Sequence, residues 1–414
     1  MTTDYVATQA TAKGQTAREM TALAIARRHI ANLRAGTTDA HPDGARFIPA
    51  SEYLDPQILD DEKAMLRRVP LVVAHQSQLP EPRTYHTEEL MDVPILLVRQ
   101  DDGIVQAFLN SCSHRGARVV AGSGAAKNRF VCPYHAWSYT RTGELAGVNQ
   151  PKKFGEIDKA CHGLTEIPCS ERHGLIFVTL DPAGVTDVDA FLGDFAPRLA
   201  AARLGEYSFA GRWPEPQPMN WKVALSTYYE SYHVKMVHSG TVGPLFVGNL
   251  STHDSFGPDN QHHVTTWGQE TLHEFAELDE GEIEARVQQS APFSTVLHLF
   301  PNVVITHSEM EAAPLVHLIR VTPGADVSEQ FTDFRILKRN NIAPEAEAAF
   351  DDMAKMTVYA LEEEDYATGV HILKGMQAGL QEGLIFGANE VTLTEIHRGW
   401  ARATGRSLPD VPVR

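Results

Sequence analysis

Cys112-Ser113-His114 and Cys132-Pro133-Tyr134-His135 are two short pieces with seventeen residues between them. Each sets one thiolate donor beside one imidazole donor. Two Cys on one iron and two His on the other form the ligand set of a mixed-ligand [2Fe-2S] cluster. Exchanging two thiolates for neutral imidazoles removes negative charge and raises the reduction potential above that of an all-Cys cluster. Such a centre passes single electrons, and the remainder of the chain has to say where they go. A zinc module also uses Cys2His2 ligands, but finger sites pair Cys with Cys and His with His locally, whereas each piece here holds one of each.

The chain has 414 residues, too many for a cluster domain alone, and its 43% hydrophobic and 21% charged residues suit a folded globule with a sizeable core. A formal charge of -17 argues against nucleic acid or an anionic membrane as partner, although many soluble enzymes are simply acidic. The best apolar runs, such as Val93 to Val98, have strand length rather than membrane-spanning length. The opening MTTDYVATQATAKGQ lacks the layout of a signal peptide, so a cytoplasmic location is expected. Of four cysteines the motif claims two. Cys161, followed by His162, and Cys169 have no matching ligand pair nearby and read as ordinary residues.

Three regions are expected. Residues 1–69 form an N-terminal arm with a helix from Ala17 to Leu33. Residues 70–181 carry short apolar runs (Ile95–Val98, Val105–Leu109, Arg129–Cys132, Leu175–Leu180) broken by Gly, Asp and Pro, the pattern of a small antiparallel β domain with both Cys/His pieces on loop tips. Residues 182–414 are mixed: a helix from Val188 to Leu204, a helix from Trp221 to Val237, strands at His262–Gly268, Thr295–Leu299, Asn302–Thr306, Pro314–Val321 and Glu329–Leu337, and a long helix from Pro344 to about Leu380. The segment to Arg414 reads as a loop and short tail. Strands then helices without strict alternation give an α+β class around an antiparallel sheet.

The predicted helix at 221–237 ends in Glu230-Ser231-Tyr232-His233-Val234-Lys235-Met236-Val237-His238. Two His and one carboxylate with open positions is the triad of non-haem Fe(II) oxygenases. His233 and His238 are five apart, so a regular helix leaves them out of line, and a helix end or distortion has to bring both to one ion. In the acidic run Glu362-Glu363-Glu364-Asp365, helical phase puts Asp365 on an inward apolar stripe with Val358, Leu361 and Ile372. A lone carboxylate there costs several kcal/mol (order of magnitude, ~2–5) unless paired or metal-bound. Asp365 is therefore the expected third ligand and Glu364 the second choice.

With these pieces in hand, the chain from about Ile48 onward resembles the Rieske non-haem iron oxygenases, specifically the large (alpha) subunit of the aromatic-ring-hydroxylating group. Asn110 to Ala117 and Cys132 to Tyr139 are similar to that family's cluster loops. Asn220-Trp221-Lys222 followed by Glu230-x2-His233-x4-His238 is similar to its iron motif, and Glu364-Asp365 to the site of its third ligand. The resemblance implies a Rieske domain and a helix-grip (START-like) catalytic domain, assembled as a homotrimer with or without a small beta subunit. It implies a [2Fe-2S] Rieske cluster on Cys112, His114, Cys132 and His135, and a mononuclear Fe(II) on His233, His238 and Asp365. Glu230, three residues before the first iron histidine, would bridge His233 to His135 of the adjacent subunit. The family more often has Asp there, and some members that oxidise quaternary amines have Glu. Many relatives also carry Glu-Asn where this chain has Ser226-Thr227. Arg115, Gly116 and Tyr139 are expected to shape the cluster loops, with Tyr139 donating to a cluster sulfur.

The activity implied is that of a terminal oxygenase. It takes O2, a small organic substrate and electrons from a separate NAD(P)H-dependent reductase, with or without a ferredoxin. Mono- or dihydroxylation of an aromatic substrate is the leading expectation. Oxidative N- or O-demethylation, including that of methylated or quaternary amines, is the alternative. A pure electron-transfer protein would need only residues 70–181. Tyr228, Tyr229, Phe246, Trp267, Phe293, Leu297, His298 and His307 are candidate pocket walls, each of which core packing also explains.

Overall fold

The structure, a computed structural model, describes residues 22–308, 315–409 and 411–413. The expected helix residues 17–21 and Pro314 of an expected strand lie outside them. The chain divides into two compact units, one formed by Ala64–Phe191 with Arg203–Phe209, the other by the chain up to Lys63, Leu192–Ala202 and Ala210–Arg414.

The first unit is built from antiparallel β-sheets. A five-stranded sheet runs in the order Glu166–Ile167, Val105–Leu109, Val93–Arg99, Thr84–Leu90, Ser123–Ala125. One three-stranded sheet holds Cys169–Arg172, Leu175–Val178 and Leu71–His75, and another holds Arg129–Val131, Ser138–Thr140 and Leu145–Gly147. Leu96, Val98, Phe108, Phe130, Trp137, Tyr139, Leu145 and Leu164 form one apolar cluster, and the buried Cys112 and Cys132 belong to it. The two thiols are thus shielded by core that the sheets already need. Cys132 follows directly on the strand Arg129–Val131 and Cys112 lies three residues past the end of Val105–Leu109, at the loop positions that the turn-rich sequence predicts.

The second unit is organised by a seven-stranded antiparallel sheet ordered Tyr207–Gln217, Gln330–Arg339, Leu315–Pro323, Val303–Ser308, Phe293–Leu299, His262–Gln269, Phe246–Phe256. Phe293–Leu299 is buried along its whole length, its polar Ser294, Thr295 and His298 included, so it lacks the exposure alternation of a half-exposed strand. Phe246–Phe256 at one edge was not expected from sequence, because Gly248, Asn249, His253 and Asp254 interrupt its pattern.

Four helical expectations need correction. The helix expected over Val188–Leu204 is broken into Val188–Leu192, a tight turn at Gly193–Phe195 and Ala196–Ala201. Gly193 has a positive φ of 52°, and Pro197 cannot continue the hydrogen-bond ladder behind it. The helix expected over Trp221–Val237 stops at Ser226 and resumes only for Val234–Val237. The long helix from Pro344 runs to Gln377 but widens to a π turn over Ala360–Tyr366. The segment expected as loop and tail contains the strand Gly383–Phe386 and a helix, Val391–Ala403. Leu393, Ile396, Trp400 and Ala401 are its buried face, at the three- and four-residue spacing of an amphipathic helix.

A buried polar network joins the N-terminal arm to the start of the interrupted helix. Asn220 caps Trp221–Ser226 by accepting from Lys222 N at 2.9 Å. Its side-chain amide donates to the Tyr53 carbonyl at 2.8 Å. From the helix Pro56–Leu66, Glu62 accepts from Trp221 Nε1 at 3.0 Å and from Lys222 Nζ at 2.6 Å. Glu62 and Lys222 are both about 1% exposed and each is tolerated because it is paired, with Glu52 at 3.9 Å from Lys222 and Arg406 at 3.7 Å from Glu62 completing the charge balance. Trp221 packs on Trp400 with ring centroids 4.8 Å apart, and Tyr53 Oη meets His397 Nε2 at 2.9 Å.

This unit also buries histidines in the neutral form. Burial drives His29, His253, His307 and His317 down to about 4 and His397 to about 3. A folded-state value depressed below the unfolded 6.5 gives stability that is whole above 6.5 and is lost as pH falls towards 4. Each such histidine should cost about 1 kcal/mol at about pH 5.5. The guanidinium midpoint of this second unit is therefore expected to drop steeply between about pH 7 and about pH 5. An unchanged midpoint over that interval would contradict neutral burial.

Candidate functional site

The two cluster loops share one hydrogen-bond scheme. Cys112 N donates to the Ala117 carbonyl at 2.8 Å, and Gly116 N returns to the Cys112 carbonyl at 2.8 Å. In the second loop Cys132 N donates to Trp137 O at 2.8 Å and Ala136 N to Cys132 O at 3.0 Å. The residue four past each cysteine takes a positive φ, 75° at Gly116 and 60° at Ala136. Glycine makes that turn freely, whereas alanine holds it against a steric cost. Asn110 clamps the first loop from below. Its Oδ1 accepts from Val119 N at 3.0 Å and its Nδ2 donates to Val120 O at 2.7 Å.

These turns bring His114 and His135 together, with ring centroids 4.7 Å apart and edge to face, while Trp137 stacks on His114 at 4.9 Å. Cys112 and Cys132 are buried and unoxidised. Tyr139 Oη lies 3.1 Å from Cys112 Sγ and accepts from Ser113 N at 3.0 Å. Its hydroxyl is pushed up to about 12, first by burial and then by Cys112, so it stays protonated beside the thiolate position. Buried thiols on one side and facing imidazoles on the other suit a two-iron cluster, in which each pair serves its own metal. Cys161 is exposed and donates to Asp158, apart from this set.

In the catalytic unit, one group of three His, Cys, Asp or Glu side chains among the described residues has its ligand atoms within 4.8 Å of one another: His233, His238 and Asp365. The interruption of the helix explains how residues five apart meet. Ser226 Oγ and Thr227 Oγ1 bond back to the carbonyls of Lys222 (2.7 Å) and Ala224 (2.9 Å) as the helix ends. Glu230 Oε2 then accepts from Tyr232 N and, at 3.1 Å, from His233 N, capping the restart. His233 and His238 thus flank the single turn Val234–Val237.

The π turn does the corresponding work on the other segment. The expected inward stripe Val358, Leu361, Asp365, Ile372 holds only as far as the turn. Beyond it the buried positions are Tyr366, Gly369, Leu373 and Met376, one residue later, and Ile372 is 37% exposed. One extra residue in a turn shifts the phase of all that follows, and such turns recur at functional sites. Asp365, with a side chain 12% exposed, sends Oδ1 to within 3.2 Å of His238 Nε2 and 3.5 Å of His233 Nε2. Glu364 reaches the other nitrogen of the same ring, with Oε2 2.7 Å from His238 Nδ1, and accepts from Thr241 Oγ1 at 2.6 Å. Glu230 Oε1 makes the same contact with His233 Nδ1.

Both imidazoles therefore carry a carboxylate on Nδ1, which fixes a proton there and turns Nε2 to the common point, where a bound metal would take the place of the Nε2 proton. Burial lowers both histidines, but Asp365 and then the outer carboxylates outweigh it and raise them, His233 to about 10. Burial likewise works against the Asp365 charge, and the two histidines overcome it. The donors fit a divalent metal with two nitrogens and one oxygen. Sequence reasoning ranked Glu364 as an alternative ligand and did not foresee that it grips His238 from outside.

This unit holds two cavities, and the first of them is lined by residues of the metal site. One, of about 270 Å3, touches Glu230, His233 and Asp365 and is also lined by Ser226, Thr227, Ile372, Phe386 and Glu390. The other, of about 320 Å3, lies against the sheet and is lined by Phe246, Trp267, Glu270, His307, His317 and Thr357, among others. Of the candidate wall residues, Phe246, Trp267 and His307 line this second cavity. Tyr228, Tyr229, Phe293, Leu297 and His298 are buried core, with Tyr229 Oη on His298 Nδ1 at 2.6 Å and Tyr228 Oη on Tyr366 Oη at 3.0 Å. No helix among the described residues is long and apolar enough to cross a membrane.

Residues 204–406 match the family described as ring hydroxylating alpha subunit (catalytic domain), and residues 69–168 match the Rieske [2Fe-2S] domain. The carnitine monooxygenase oxygenase subunit of Acinetobacter pittii is 34% identical over 204 residues, 49% of this chain and 55% of that protein. The anthranilate 1,2-dioxygenase large subunit of Acinetobacter baylyi is 29% identical over 230 residues, 52% of this chain and 47% of that protein. The chain thus spans about half the length of the curated relatives it matches. Among solved structures, the quaternary ammonium Rieske monooxygenase CntA in complex with substrate L-carnitine superposes with a TM-score of 0.71 at 22% identity, covering 86% of this chain and 95% of that one. Naphthalene 1,2-dioxygenase from Rhodococcus sp. bound to indole gives 0.67 at 20% identity, covering 92% and 98%. At these identities the likeness is one of fold.

Replacing Glu364 by Gln removes the negative charge from His238 Nδ1 and keeps the shape. Mononuclear iron affinity should fall by about 10- to 100-fold while the cluster spectrum is unchanged. Asp365→Ala should abolish mononuclear iron binding outright. Iron titration of the two purified variants, followed by metal content, checks both; full occupancy in Asp365→Ala would refute the ligand set.

Proposed function

Because this chain belongs to the alpha subunits of the Rieske non-haem iron oxygenases, we propose that it is a terminal oxygenase component. It would use O2 and single electrons to oxidise a small organic substrate. The observation that carries this reading is the presence in one chain of both donor sets: buried Cys112 and Cys132 with facing His114 and His135, and the convergent His233, His238 and Asp365. When bound, the cluster supplies single electrons and the mononuclear iron supplies O2 activation.

The chain's own residues do the rest. His233 and His238 offer Nε2 because Glu230 and Glu364 hold their Nδ1 protons. Tyr139 and the two cysteine loops keep Cys112 and Cys132 shielded from bulk water. Glu230, on the outer nitrogen of His233, would receive a second copy's His135 and join the two centres across a subunit boundary. That role implies a homotrimer, with the cluster domain at 70–181 and the catalytic domain at 182–414. Electrons would arrive from a separate NAD(P)H-dependent reductase, with or without a ferredoxin, in the cytoplasm.

For the substrate, the cavity of about 320 Å3 has the size of a small-ligand site, and His233, His238 and Asp365 are not among its lining residues. Phe246 and Trp267 meet edge to face at 5.6 Å on its wall, and the carboxylate Glu270, which is ion-paired with Lys235 at 2.5 Å, also lines it. Aromatic faces with a nearby carboxylate suit a methylated ammonium group, the kind of substrate named for the carnitine monooxygenase relative. The same faces suit a flat aromatic ring, the second reading, which the anthranilate dioxygenase relative favours. Burial holds His307 and His317 at about 4, so the remainder of the wall is neutral near pH 7.

Purified protein should be brown, with about three irons per chain. Under 18O2 it should label a product from a panel of methylated amines, aryl ethers and aromatic acids, read by mass spectrometry. A colourless, zinc-containing protein would refute the oxygenase reading. Glu230→Gln should retain both metals yet slow turnover by at least about tenfold. Turnover equal to the parent would exclude Glu230 as the bridge.

A further inference from the structure

The cavity of about 270 Å3 beside the mononuclear site contains a second carboxylate, Glu390, which none of the sequence motifs points to. A tight turn presents it. Glu390 N donates to the Gly387 carbonyl at 3.0 Å, and Gly387 N returns to Glu390 Oε2 at 2.5 Å. A Cβ on Gly387 would come within 2.3 Å of Asn389 Oδ1, so a larger residue there would displace the Asn389 side chain. Glu390 stands at the head of the helix Val391–Ala403 yet makes no capping bond to it. Its Oε1 has no hydrogen-bond partner among the described residues. No lysine or arginine lines this cavity, which holds Glu230, Asp365 and Glu390 together. Burial, and then the charge of Glu230, pushes Glu390 up to about 7 against the Gly387 N–H and His233, which lower it. Around the carboxylates the lining is apolar, and Ile385 on it is 62% exposed.

The cluster unit carries a surface of the opposite kind. Tyr134 stacks over His135 at 3.7 Å and Phe154 meets His114 edge-on at 5.3 Å, and both are exposed. Beside them Arg115, Lys152 and Lys153 are exposed, and none has an ion-pair partner among the described residues. In a chain of net charge -17 a cationic rim around two exposed aromatic rings is a local exception. Aromatic rings suit an apolar lip, and unpaired cations suit an uncompensated carboxylate.

We propose that Glu390 is a second anchoring carboxylate for the cluster face of a neighbouring copy, pairing with a cation of the Arg115, Lys152 and Lys153 rim while Glu230 serves the cluster histidine. The proposal rests on the oxygenase reading above. Two acidic contacts on different elements fix the rotation of the docked face, which a single bridge leaves free. Glu390 is thus a positioning residue. It sets how the histidine approaches Glu230 and touches neither metal.

The test compares Glu390→Lys and Glu390→Gln in the full metal-loaded chain, each alone and combined with Arg115→Glu, Lys152→Glu and Lys153→Glu. Sedimentation velocity reads assembly, rapid mixing with O2 reads re-oxidation of the reduced cluster, and iron content with the visible spectrum reads integrity. Glu390→Lys should weaken assembly or slow re-oxidation by about tenfold or more, with metals intact, and reversal of the rim should restore it. Glu390→Gln should cost a few-fold, roughly 2–5, and reduce the salt dependence. If Glu390→Lys fails to fold, the rim reversals alone should reproduce the defect. Parent-like assembly and re-oxidation in Glu390→Gln and the rim variants, or a Glu390→Lys defect that rim reversal does not relieve, overturns the proposal. If the parent itself sediments as single copies or lacks the cluster spectrum, the oxygenase reading falls with it.

Discussion

His238 is held from both sides by consecutive residues of a segment more than a hundred positions away. Glu364 takes its Nδ1 at 2.7 Å and Asp365 approaches its Nε2 at 3.2 Å. In a regular α-helix neighbouring side chains diverge by about 100° and would not straddle one ring. The widened turn Ala360–Tyr366 brings them round the imidazole, and the same extra residue rotates the rest of the helix so that Tyr366, Gly369, Leu373 and Met376 face inward. The metal-binding geometry and the packing of the helix's second half thus share one cause. A substitution that regularised this turn would have to give up one or the other.

The donor residues were legible in the sequence because ligand chemistry is written in residue type and short spacing. Cys112, His114, Cys132 and His135 announce themselves within their own loops, and His233 with His238 within six residues. What could not be read was the backbone between them. A five-residue gap conflicts with helical period, yet nothing local states that Ser226 and Thr227 turn back on carbonyls or that Glu230 caps the restart. Asp365 was reached by helical phase counted from Leu361, and both lie inside the π turn. The same count fails at Ile372, beyond it.

Other omissions have different origins. The helix Val391–Ala403 does carry its own signal in Leu393, Ile396, Trp400 and Ala401, which the short surrounding pieces obscured. Phe246–Phe256 is a strand because the neighbouring His262–Gln269 pairs with it across the sheet, and its Gly and Asn residues give no such indication. Glu364 and Glu390 depend on long-range approach. An acid is recognisable in sequence, but its distance from an imidazole or another acid is a property of the fold. The α+β class and the antiparallel sheets, by contrast, follow from strand-length apolar runs that tertiary packing had no reason to override.

Glu62 and Lys222 bear on how the molecule can be divided. The ammonium of Lys222 sits at the start of the interrupted helix that leads to His233, and its buried counter-charge comes from the N-terminal arm, 160 positions earlier. A fragment beginning after Lys63 would leave that ammonium, and the indole N–H of Trp221, without the acceptor they share. Such a leftover charge is costly enough to unfold a marginal domain, on the order of 3–5 kcal/mol. The catalytic half is consequently not a modular part that can be excised along the chain. It is closed by a strap from the opposite end of the sequence, and recombining domains between relatives would have to carry residues 22–63 together with the iron-binding half.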